Sequence, residues 1–193
     1  MKLLAGLLIA LVALSSLSID NQAVKSYYNN EFKADESLND YINQFNLSLV
    51  DHSGLRSLIN PLSVKETALL VIGNASDDLA KARLIHDFIR SNITYSVELD
   101  HLSAPEILKK GSGDCSEMSI LAVSMLESLG ITSYFMNGDG HACSVALIND
   151  NWVIIDPTQD FDFQSNWVNF LPENIAYLVN SSATLSFPTS ASA

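Results

Sequence analysis

From Ser63 to Leu129 the apolar residues are spaced mostly as in helices, and a short stretch after residue 130 spaces them as strands do, while residues 20–60 read as poorly patterned helix and loop. Leu3–Leu14 is a run of twelve residues with no charge and no polar side chain. Asp35–Leu49 sets Leu38, Tyr41, Ile42 and Phe45 at intervals of three and four residues, which predicts one helix face. Ser63-Val-Lys-Glu66 has the form of a capping box and predicts a short helix stopping at Gly73. Ser76, with Asp77 and Asp78 behind it, predicts the cap of the next helix. That helix runs to about Asn92 with Leu79, Ala82, Ile85 and Ile89 on one side, and Leu84 and Phe88 widen the stripe. Ile93–Val97 is β-branched and aromatic and reads as extended. Ser103-Ala-Pro105-Glu106 opens a further short helix, with proline tolerated in a first turn, ending at Gly111.

Ser116–Leu129 carries Met118, Leu121, Ala122, Met125, Leu126 and Leu129, a well-formed amphipathic helix closed by Gly130. Strands are predicted at Ile131–Met136, Cys143–Ile148 and Trp152–Ile155, the last two joined by a turn at Asn149-Asp150-Asn151. The aromatic segment Phe161–Leu178 is expected to pack back on the domain. Residues 181–193 hold seven Ser or Thr in thirteen positions and read as a tail. Helices first and an antiparallel sheet after them make the fold class α+β. The divisions are 1–18, a leader or anchor; 19–78, an N-terminal helical region; 79–180, the main domain; and 181–193, the tail.

Composition narrows the function. The 193 residues suffice for one domain with a real core. Ten Lys and Arg against 22 Asp and Glu give a net charge of −12, and the only adjacent basic pair is Lys109-Lys110. A nucleic-acid partner needs a basic face, so none is expected. Two cysteines make neither a disulfide scaffold nor a four-cysteine zinc site. No cofactor is expected, and the acidic surplus alone does not define a calcium site.

The N-terminus bears on compartment. Met1-Lys2, the apolar run and Ser15-Ser16-Leu17-Ser18 describe a secretory signal cut before Ile19. The alternative is an uncleaved anchor, because Leu3–Ile19 is 17 uncharged residues, at the lower edge of a bilayer span. Either way the expectation is an extracytoplasmic protein. Sequons at Asn46, Asn74, Asn92 and Asn180 fit an exported chain in a host that glycosylates.

Three residues carry candidate chemistry. Cys115 lies in Gly113-Asp-Cys-Ser-Glu117, where a loop becomes a helix; unpaired N–H groups and the helix dipole there favour a thiolate and could bind an oxyanion. His141 opens a strand after Asn137-Gly-Asp-Gly140 and could pair with the thiol. Asp156 ends the partner strand, about as far from the hairpin turn as His141, so it could hold the imidazole. Each residue has an ordinary reading: an inert core cysteine, a surface histidine, an Asp-Pro turn. Read together they form one geometric proposal.

With these residues the chain resembles the transglutaminase-like superfamily, relatives of the papain-type thiol enzymes, over about residues 79–158. The resemblance rests on Asn92-Ile-Thr-Tyr95, Ala104-Pro-Glu-Ile-Leu-Lys-Lys-Gly111, Gly113-Asp-Cys115-Ser-Glu with Leu129-Gly-Ile131, Gly140-His141-Ala142 and Trp152-Val-Ile-Ile-Asp156-Pro-Thr158. It implies a papain-like core with the cysteine helix packed on a small antiparallel sheet. It also implies a catalytic triad of Cys115, His141 and Asp156 attacking amide carbonyls through a thioester. A second oxyanion donor upstream of the cysteine is implied too. Tyr95 has a suitable hydroxyl, and packing at the helix end is its plainer role.

The expected function is therefore an exported hydrolase or acyltransferase acting on peptide, isopeptide or side-chain amides. Its partner would be a protein or peptide substrate, or a cell-envelope polymer. Hydrolysis is preferred, since transfer needs a water-excluding amine site and none is evident. The family often has an aromatic where Cys143 stands. That departure leaves two alternatives: a non-catalytic peptide- or polymer-binding module, and a structural protein with a Cys115–Cys143 disulfide, since alternation puts Cys143 on the face of His141. A metal site of Cys115, Cys143 and His141 lacks a fourth ligand and a zinc spacing. His101 reads as exposed turn, and His52 and His86 as structural.

Overall fold

The structure is a computed structural model and describes residues 40, 42–48, 50–97, 101–138, 140–159, 175 and 177–186. In chain order the elements are β1 (Asn46–Leu47), α1 (Ser53–Leu58), α2 (Pro61–Ile72), α3 (Asp78–Asn92) and β2 (Thr94–Tyr95). They continue with α4 (Ala104–Lys110), β3 (Ser112–Gly113), α5 (Cys115–Ser128), β4 (Ser133–Asn137), β5 (Ala142–Ile148), β6 (Asn151–Ile155), β7 (Tyr177–Val179) and β8 (Thr184–Ser186). Among the described residues a six-stranded antiparallel sheet runs β1-β8-β7-β4-β5-β6, and a separate two-stranded parallel pair joins β2 to β3. The fold is α+β, as the periodicities indicated.

Helix α5 is the hub. It packs on α2, α3 and α4 and, through its other side, on β4 and β5. Its residues from Glu117 to Leu126 are all buried. Each large apolar side chain buried there contributes roughly 1.5–3 kcal/mol. Strand alternation divides the sheet into two faces. Phe135, Ala142, Ala146, Ile148, Val153 and Ile155 join the helices in the main core. Met136, Cys143, Val145, Trp152 and Leu178 point the other way, into a smaller cluster with Ile42, Phe45 and Ile175.

Several local expectations change. The helix expected over Asp35–Leu49 does not continue through the described part: Phe45 closes a turn on Ile42, and Asn46–Leu47 pair with β8. Ile42 and Phe45 are buried together, so their spacing encodes one turn over the sheet. Helix α2 starts earlier than Ser63, at Pro61, because Asn60 caps it by accepting from the Ser63 N–H at 3.2 Å. Asp77, not Ser76, caps α3, accepting from Leu79 N and Ala80 N at 3.1 Å. The hairpin loop is Asn149-Asp150 alone, both at positive φ as a tight primed turn requires, and Asn151 already pairs with Ile148.

The tail expected from residue 181 is a correction. Asn180 turns the chain by accepting at Oδ1 from the N–H groups of Ser182 and Ala183, and Thr184–Ser186 then pair with Tyr177–Val179. Serine and threonine content signalled solvent, whereas Tyr-Leu-Val and Thr-Leu-Ser supply a hairpin around an Asx turn. Residues 187–193, the leader or anchor at 1–19, Leu38, Tyr41 and most of Phe161–Leu178 lie outside the described residues. Among the described residues no helix is long and apolar enough to cross a membrane.

Candidate active site

Local rules place Cys115 at the first position of α5. Asp114 caps that helix: its Oδ1 accepts from Ser116 N at 2.8 Å and Glu117 N at 3.2 Å, and Glu117 Oε2 accepts from Asp114 N at 2.9 Å. This is a capping box, legible in Asp114-Cys-Ser-Glu117 although sequence reasoning passed over it. It corrects the expectation of several free N–H groups: Asp114 engages two of them and leaves that of Cys115 itself. Gly113 is required just before the cap. A Cβ there would lie 2.8 Å from the Glu117 Cβ, so only glycine lets the buried glutamate close over the turn.

His141 follows Gly140, whose φ of 75° swings the chain into β5. The ring lies beside the end of β6, where the paired register of Ser144 with Ile155 brings Asp156 into reach. His141 Nε2 donates to Asp156 Oδ2 at 2.8 Å. Asp156 Oδ1 accepts from Thr158 N at 3.0 Å and Thr158 Oγ1 at 2.7 Å, so the carboxylate is fixed from both sides. Sequence reasoning did not single out Thr158; its signal was the Asp-x-Thr spacing of an Asx turn.

The remaining side of the imidazole bonds the Cys115 thiol. That bond lowers the Cys115 pKa, helped by the Ala142 N–H pointing at the sulfur and opposed by burial and the Asp114 charge. The bond to Asp156, then the bond to Cys115, raises His141 to about 10. A lowered thiol beside a raised imidazole is the condition for a thiolate–imidazolium pair.

Tyr95 reaches the same point. The parallel pairing of β2 with β3 sets Tyr95 opposite Gly113, two residues before the cysteine, with Ser96 N bonded to Gly113 O at 3.0 Å. The Tyr95 hydroxyl faces the Cys115 sulfur. Partial burial first, and then the Cys115, Asp114 and Asp156 charges, push its pKa up, keeping it a neutral donor. All four sequence-selected residues, Cys115, His141, Asp156 and Tyr95, therefore meet. Beside them opens a cleft of about 610 Å³, lined by Arg90, Tyr95, Met118, His141, Thr158 and Gln159 among others.

Residues 65–157 match the model of the Transglutaminase-like superfamily, a span holding Cys115, His141 and Asp156. Over these residues the chain is similar to that superfamily. Among solved structures, a candidate protease from Parabacteroides distasonis ATCC 8503 resembles this chain with a TM-score of 0.50 at 16% identity, over 70% of this chain and 30% of that one. A candidate cysteine protease from Cytophaga hutchinsonii gives a TM-score of 0.48 at 24% identity, over 57% of this chain and 44% of that one. The likeness is one of fold, and this chain spans less than half the length of either protein. No curated protein matches the chain.

The other histidines and the second cysteine sort differently. His52 stacks on Tyr177 with ring centroids 4.1 Å apart, and exposed His101 sits in the loop before α4. Cys143 is fully buried in the cluster on the far face of the sheet, its pKa pushed well up by burial, while Cys115 packs against the helical core. Both thiols are free. The expectation that Cys143 shares the face of His141 fails because regular pleating starts only at Ala142. The Cys115–Cys143 disulfide is not formed: the two side chains lie in clusters on opposite faces of the sheet.

Proposed function

We propose that this chain is a thiol hydrolase acting on peptide, isopeptide or side-chain amides. The observation that carries the reading is the hydrogen-bonded line from Cys115 through His141 to Asp156, with the thiol lowered and the imidazole raised. The Cys115 thiolate would add to the amide carbonyl carbon. The oxyanion would take hydrogen bonds from the Cys115 N–H and, on reorienting, the Tyr95 hydroxyl. His141 would pass its proton to the departing nitrogen as the C–N bond breaks, leaving a thioester and a free amine. Water would then attack the thioester with His141 taking its proton, which releases a carboxylic acid and restores the thiolate. Asp156 would hold the ring in the productive tautomer throughout. Hydrolysis is preferred to transfer because the cleft is open to water and lined largely by polar groups.

The test is a panel of fluorogenic peptide, isopeptide and glutamine amides, assayed with wild type and Cys115→Ala. A thiol hydrolase loses turnover by a factor on the order of 10⁴ or more in the variant. It also shows an acyl-enzyme mass on Cys115 when the reaction is quenched early. Turnover that survives Cys115→Ala refutes the mechanism. Equal, saturable binding of a peptide by both proteins, without turnover, would favour the binding-module alternative.

A further inference from the structure

His86 lies beneath the catalytic line rather than in it. It sits in the buried stripe of α3 beside Ile85 and Ile89 and is 1% exposed. An apolar residue would satisfy packing there. The imidazole instead reaches the turn that follows Asp156. Its Nε2 stands 3.1 Å from the Asp156 carbonyl oxygen and 3.0 Å from that of Gln159. Carbonyl oxygens only accept, so Nε2 donates to both. Nδ1 lies 2.9 Å from Asp87 Oδ1, on the next residue of the same helix, which sets the rotation of the ring.

The backbone around Asp156 is thus held from the protein interior. Ser144 Oγ donates to the carbonyl of Ile155, Gln159 N to that of Asp156 at 3.1 Å, and His86 to those of Asp156 and Gln159. The enclosed Thr158 in turn grips Asp156 Oδ1, so Oδ2 has one place to be, 2.8 Å from His141. Such a bond loses most of its strength once the acceptor drifts beyond about 3.5 Å. We propose that His86 is a positioning residue for the Cys115–His141 pair, acting through the Asp156–Gln159 turn. This rests on the reading of Cys115 as an activated thiolate.

The test is alkylation of Cys115 by iodoacetamide in the intact chain from pH 5 to 9.5, mapped by mass spectrometry. The proteins are wild type, His86→Leu, His86→Gln and His86→Asn. The groups facing Cys115 are His141, Tyr95 and Asp114, with Asp156 behind His141 and Cys143 across the sheet. Only the hold of Asp156 on His141 depends on the turn. In His86→Leu the acid limb is expected to move up by about one pH unit, a roughly tenfold loss of labelling on that limb, with the rate at pH 9.5 unchanged. Gln, whose amide nitrogen can reach the carbonyls, should recover most of that loss. A merely structural histidine would lower the melting temperature and leave the limb in place. That result, in a folded His86→Leu, overturns the proposal. If Leu prevents folding, the comparison is Asn, too short to reach both carbonyls, against Gln, and equal acid limbs overturn it. Wild-type labelling confined to the ordinary thiol range has a different signature: it overturns the thiolate reading and the positioning role with it.

Discussion

Asp156→Asn offers the sharpest test of how the site is wired. The two carboxylate oxygens serve different donors: Oδ1 takes Thr158 N and Oγ1, and Oδ2 takes His141 Nε2. Asparagine has one acceptor. If its oxygen stays with the two Thr158 donors, its NH₂ faces Nε2, where a proton already sits. The ring must then move that proton to its other nitrogen, which opposes the imidazolium. The loss is at least one hydrogen bond to a charged group, about 1.5–3 kcal/mol. The Asp156 side chain is only 11% exposed, so water restores little of it. At 1.36 kcal/mol per pH unit, His141 should titrate about one to two units below the value of about 10 it has beside the carboxylate. Titration of the imidazole C–H resonances by NMR reads this directly, with His141→Ala to assign the peak. The sign can be checked by urea unfolding. A histidine raised from 6.5 to about 10 on folding contributes stability that is fully present below about pH 6.5 and is lost as pH climbs to about 10. The stability gap between wild type and Asp156→Asn should therefore be widest near pH 6 and close towards pH 10. A wild-type His141 that titrates near 6.5, or a value unmoved by the substitution, would refute this account of the site.

Further outcomes follow from local geometry. Gly113→Ala drives a Cβ to within 2.8 Å of the Glu117 Cβ, so the first turn of α5 must shift. A loss of about 1–3 kcal/mol in urea unfolding, together with slower alkylation of Cys115, is expected, and unchanged stability would contradict the packing. The sequons also separate by burial: Asn74 is exposed in a turn, whereas Asn180 is buried with its Oδ1 bonded to Ser182 and Ala183. Expressed through a eukaryotic secretory pathway, the chain should carry glycan at Asn74 and none at Asn180 by peptide mapping. Occupancy at Asn180 would mean that the β7–β8 hairpin forms late or not at all.

Local chemistry already specified much of this protein before any packing. The apolar stripe from Met118 to Leu126 dictates a helix that must be covered on most sides, and it becomes the hub of the core. Asn149-Asp150 between two apolar runs dictates a tight hairpin, and the hairpin fixes the distance along the chain at which His141 and Asp156 can meet. Cys115 at a helix start, His141 at a strand start and Asp156 at a strand end were legible because each signal lies within a few residues. Tertiary structure alone decided the rest, because it depends on contacts between segments far apart in sequence. The parallel pairing of Thr94-Tyr95 with Ser112-Gly113 brings a tyrosine hydroxyl to the thiol, and no periodicity in a two-residue strand announces it. The face of Cys143 depended on where the strand begins, at Ala142. His86 reads as one more core position of α3 until the chain returns, 70 residues later, and lays two carbonyls against its ring.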